Sequence, residues 1–98
     1  MEPKIELKHP EGKKAISMES GKYNTLKLAV IECLKSKPEL THKELKQAVA
    51  GYLEKNKIQF SGSVPWHLEW VKLDMEARKE IKRVTDKSLV KYTLNSPL

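Results

Sequence analysis

The chain has 98 residues, 39% hydrophobic and 33% charged, with a formal net charge of +6 at pH 7. That length holds one domain, which buries roughly 60% of its unfolded surface, and the composition is too apolar for a disordered chain. The single cysteine, Cys33, excludes an internal disulfide, and three scattered histidines offer no metal-ligand spacing, so neither metal nor cofactor is expected.

No window approaches 18 apolar residues, and Met1–Lys8 contains no signal-like apolar run, so the expectation is a cytoplasmic protein without a membrane segment. The positive excess permits an anionic partner such as nucleic acid, although lysine also serves solubility.

In chain order, Ile5-x-Leu7 and Ile16-x-Met18 alternate in the manner of strands on either side of a turn at His9-Pro-Glu-Gly12. Residues 1–20 therefore read as an arm, either a small hairpin or an extended strand lying on the domain. From about Lys22 to Lys35, Tyr23, Leu26, Val30, Cys33 and Leu34 recur at helical spacing. Cys33 lies within that stripe, where a small buried hydrophobe is expected rather than a nucleophile. Pro38 ends the segment.

A second helix opens at Leu40-Thr-His-Lys-Glu-Leu45. Thr41 and Glu44 form a capping box, and Leu40 with Leu45 a hydrophobic staple. Leu45, Ala48, Val49, Tyr52 and Leu53 carry the apolar face to about Asn56. Lys43 and Lys46 lie off that face, as solvated lysines or as phosphate contacts. Phe60 reads as a core plug in the connector.

Ser63 caps a third helix with Pro65 in its first turn, running to about Lys79. This helix is apolar on two sides. Val64, Leu68, Val71 and Met75 form one stripe; Trp66, Trp70, Leu73 and Ala77, with Ile81 beyond them, form the other. Between the stripes Lys72, Arg78 and Lys79 meet Glu69, Asp74, Glu76 and Glu80, which read as surface charges. Ile81–Val84 and Leu89–Leu94 follow as two strands joined by Thr85–Ser88, and Asn95–Leu98 as a frayed end.

The order helix, helix, helix, hairpin resembles the winged-helix branch of the helix-turn-helix proteins. Its most specific part is Leu73-Asp-Met-Glu-Ala-Arg-Lys-Glu-Ile-Lys-Arg-Val84, which looks like the end of a winged-helix third helix passing into the first wing strand, with Lys79 where glycine is common. His9-Pro10, Tyr23, Gly62-Ser-Val64, Trp66 and Val71–Arg78 also resemble small bacterial winged-helix-like proteins of unknown function.

The resemblance implies an α+β domain over residues 21–95 and a short tail over 96–98. It leaves open DNA binding, RNA binding and protein interaction. In a DNA reader the third helix presents Arg, Lys, Asn, Gln or Ser to the major groove, a role that the acidic and apolar residues here do not suit.

The basic excess sits instead in the hairpin. The leading expectation is therefore a regulatory or accessory double-stranded DNA binder gripping phosphates through Arg83, Lys82, Lys87 and Lys91, with Lys43 and Lys46 in support. The alternative is a protein-interaction module, most simply a homodimer, built around Trp66 and Trp70. The three histidines read as surface residues on separate elements and the four glycines fit no phosphate loop, so enzyme chemistry is not expected.

Overall fold

The structure, a computed structural model, describes residues 3–95. It is α+β, with three helices and two small antiparallel sheets. The N-terminal arm closes as a hairpin. β1 (Lys4–Glu6) pairs with β2 (Ser17–Glu19) in the register Ile5↔Met18, and Met18 and Leu7 enter the core. Met1 and Glu2 lie outside the described residues.

α1 (Ser20–Ser36) leaves β2 directly, two residues earlier than its spacing predicts. All five of its stripe residues are buried, together with Ala29. It stops at Lys37, whose backbone is extended before Pro38.

β3 (Leu40–Thr41) was not legible as a strand, because two residues carry no periodicity. It pairs with β5 (Leu89–Leu94) through Leu40↔Tyr92 and Thr41↔Lys91. α2 (His42–Lys55) then starts on the expected capping box. The Glu44 amide donates to Thr41 Oγ1 at 3.2 Å and the Thr41 amide to Glu44 Oε1 at 2.9 Å.

α3 (Val64–Ala77) begins with the Trp66 amide donating to Ser63 Oγ at 3.2 Å. It stops two residues short of the expected Lys79. The Lys79 amide donates to the Glu76 carbonyl and the Glu80 amide to the Met75 carbonyl, while Lys79 itself is left-handed at φ 62°. These paired bonds close a Schellman turn, a position that favours glycine.

α2 ends identically. Lys57, at φ 55°, donates to the Glu54 carbonyl, and the Ile58 amide reaches the Leu53 carbonyl. Lysine thus occupies the left-handed position after both helices.

β4 (Ile81–Asp86) pairs with β5 along its whole length. The expected four-residue loop tightens to Lys87-Ser88, both at positive φ, as a two-residue hairpin turn requires. The sheet order is β3-β5-β4.

Asn95, expected to fray, is anchored. Its amide donates to the Glu80 carbonyl and its side chain to the Lys79 carbonyl at 2.8 Å. The rest of the expected tail, residues 96–98, lies outside the described residues.

The core is one cluster. Leu26, Val30 and Leu34 of α1 meet Leu45 and Val49 of α2, Leu68, Val71 and Met75 of α3, and Ile81 of β4. Each such leucine contributes about 1.5–3 kcal/mol by leaving water. Phe60 packs against this cluster but is only partly buried.

Candidate functional site

α3 is most deeply buried on one side. Leu68, Val71 and Met75 are fully buried. On the opposite side Trp66 is 51% exposed, while Trp70, Leu73 and Ala77 are half-buried. The two indoles meet edge to face with centroids 6.3 Å apart, and His67 bridges Trp66 at 4.9 Å and Phe60 at 5.1 Å. Trp70 also touches the core, whereas Trp66 stands outside it.

Two polar clusters flank this apolar stripe, and they correct the reading of Lys72 and Asp74 as surface residues, while Glu69, Arg78 and Lys79 are exposed as expected. Lys72 is 2% exposed. Its ammonium donates to His42 Nδ1 at 2.7 Å, lies 3.4 Å from Glu69 Oε1 and sits 4.4 Å from the centroid of the Tyr92 ring. With Nδ1 accepting, the His42 proton is on Nε2, which faces Glu69 Oε2 at 3.5 Å.

Burial, and then the Lys72 ammonium, hold the His42 imidazole below its ordinary value of 6.5. His42 is therefore the neutral link between α2 and α3 rather than a free surface ring. Arg83 extends the cluster: its Nε donates to Glu76 Oε2 at 2.8 Å and its guanidinium lies 5.6 Å from the Tyr92 centroid.

On the other flank Asp74 is fully buried. It accepts from the Tyr23 hydroxyl at 2.5 Å, from the Lys8 amide at 2.9 Å and from Arg78 Nε at 2.9 and 3.0 Å. Burial is the first cause of the raised Tyr23 hydroxyl pKa and the bond to Asp74 the second. Asp74 thereby fastens the N-terminal arm and α1 to α3.

A polar residue type suggests a surface position, and the partners lie up to 66 positions away, so pattern alone gave little warning of either burial. One signal was present for Lys72: four residues after Leu68, it falls only about 40° from the core stripe.

The basic residues expected to hold phosphate do not converge on one surface. In the β4–β5 register Arg83 faces Tyr92 and shares the core-side face with Ile81, whereas Lys82 and Lys91 share the opposite face with Val84 and Thr93. Lys87 is in the turn. Lys43 is exposed on α2, and Lys46 is half-buried one turn after His42.

Cys33 is buried, and burial raises its thiol pKa. It lies at the base of an open groove of about 720 Å³ between α1 and α2, which also includes Leu40, Ala48 and Tyr52. Among the described residues no three His, Cys, Asp or Glu side chains gather as a metal site would need, and no helix is long and apolar enough to cross a membrane.

The family of unknown function DUF6958 matches residues 4–92, and the chain belongs to it. No curated protein and no solved structure matches the chain.

Proposed function

We propose that the chain is a winged-helix module that binds protein through the outward face of α3, most simply as a homodimer. The helix, helix, helix, hairpin order supports the fold assignment. The observation that carries the function is Trp66, half exposed on the face where a DNA-reading helix needs hydrogen-bond donors. With Trp70, Leu73 and Ala77 it forms an apolar stripe of the kind buried at interfaces, where tryptophan is often an energetic centre.

The flanking charges favour the same reading. Glu69 and Glu76 repel phosphate, and Arg83 is already engaged by Glu76. Sedimentation equilibrium tests this: the wild type is expected to self-associate and Trp66→Ala to weaken association at least tenfold. A wild type that stays monomeric at high concentration overturns the homodimer.

One observation supports the second reading, double-stranded DNA held through backbone contacts. Lys82 and Lys91 share one sheet face, with Lys87 at its end, and exposed Lys43 and half-buried Lys46 lie on the neighbouring α2. An anisotropy titration with random duplex separates the readings. DNA binding predicts an affinity that falls steeply with salt and is lost on reversing Lys82 and Lys87 to Glu. Protein binding predicts no association at moderate salt.

A further inference from the structure

The open groove between α1 and α2 is lined by one face of α2, on which Gln47, Gly51 and Lys55 form one row and Ala48 and Tyr52 the next. Gly51 stands in the middle of the first row. Its backbone is ordinary helix, not left-handed, and a Cβ placed on it would meet nothing within 4 Å. Alanine would form the helix better, so neither crowding nor backbone conformation within the chain calls for glycine at this position. A flat body laid directly on the helix backbone does call for it.

The groups around Gly51 define the chemistry of that body. Lys55, one turn on, is exposed and enters none of the ion pairs among the described residues. Tyr52 is half-buried and supplies a ring beside the glycine. Cys33, 8% exposed, forms the wall on the α1 side. Glu44 is engaged in the capping box, roughly 16 Å along the helix from Lys55. One uncommitted ammonium, with Glu32 also lining the groove, suits a single negative charge better than a phosphate.

We propose that this groove binds a flat aromatic carboxylate. The ring lies on Gly51 against Tyr52, the carboxylate meets the Lys55 ammonium, and the Gln47 amide stands at the opposite edge. The groove's volume of about 720 Å³ accommodates such a molecule, since small-molecule sites span roughly 300–1,000 Å³.

The test uses naphthoate as the probe, followed by two-dimensional amide NMR of the full chain. Saturable shifts are expected at Cys33, Gly51 and Tyr52, with a dissociation constant of about 1 mM or below. Gly51→Leu, which fills the open space with a good helix former, is expected to weaken binding about tenfold or more without lowering the melting temperature. Lys55→Gln should weaken naphthoate binding severalfold and leave the binding of the neutral naphthylmethanol unchanged.

Naphthoate shifts that are absent, or that gather away from the groove, overturn the site. Binding untouched by Gly51→Leu overturns the role of the glycine floor, and equal affinity for the neutral alcohol overturns the carboxylate. Shifts at the same amides on raising protein concentration without probe would assign the groove to a second copy and likewise overturn the proposal.

Discussion

The Lys72 ammonium and the His42 ring, 30 positions apart in sequence, meet nitrogen to nitrogen at 2.7 Å. The bond requires a neutral imidazole, because a second positive charge at that distance would face an ammonium from which water is largely excluded. Glu69 partly offsets such a charge, and Lys46 adds to the repulsion.

The pH dependence follows. His42 has a lowered pKa in the folded chain and an ordinary value of 6.5 when unfolded, so below pH 6.5 the unfolded chain takes up the proton first. Stability is therefore fully present above that pH and declines as pH falls towards the folded value. Melting temperatures from pH 8 to 5.5 should show this decline. His42→Gln, which keeps an acceptor for Lys72 but does not titrate, should flatten the curve; parallel curves for the two proteins would refute the assignment.

Asp74 gathers donors from three parts of the chain, so its removal is expected to cost more than a surface ion pair. Asp74→Ala leaves the Tyr23 hydroxyl without its acceptor and frees the Lys8 amide, which predicts a loss of about 3 kcal/mol in urea unfolding. Tyr23→Phe, which keeps the ring, should cost about 1–2 kcal/mol. The double variant should lose less than the sum, by at least about 0.5 kcal/mol, because the two changes remove a shared bond.

Lys57 and Lys79 hold the left-handed conformation that glycine adopts without strain. A side chain there costs about 1–2 kcal/mol, of which glycine's greater freedom in the unfolded chain returns a part. Lys79→Gly and Lys57→Gly should each raise stability by about 0.5–1 kcal/mol in chemical denaturation. The two helix ends share no hydrogen bond, so the gains should add.

Cys33 should be almost inert in the folded protein. Burial, with a smaller effect from the Glu32 charge, raises its thiol pKa, so little thiolate forms at pH 8. Reaction with an aromatic disulfide reagent should be at least about 100-fold slower than in the denatured chain. A reaction equally fast in both states would show that the groove between α1 and α2 opens to the sulfur.

What the sequence made legible was local. The start of α2 was readable because Thr41, Glu44, Leu40 and Leu45 satisfy one turn among themselves, and the core stripe of α3 because Leu68, Val71 and Met75 repeat with the helix. Three features escaped. The last turn of α3 is closed by backbone bonds around the left-handed Lys79, with Asn95 returning to it, so the helix stops at Ala77 rather than at Lys79. β3 exists only because Tyr92 and Lys91 arrive beside it. Lys72 and Asp74 are polar residues whose burial depends on partners distant in sequence. Of the candidate surface, the second α3 stripe was readable, but the exposure of Trp66 and the separation of Arg83 from the hairpin lysines required the fold.

The pairing of Leu40 with Tyr92 also constrains how the chain acquires its structure. A polypeptide growing from its N-terminus makes all three helices before β5, so the two-residue strand ahead of α2 stays open until the final described strand arrives. The local turns can form within microseconds, but closing this sheet joins distant segments and is expected to set the pace of folding. Until then the edges of β3 and β4 are unprotected, and this is when the chain is most open to aggregation.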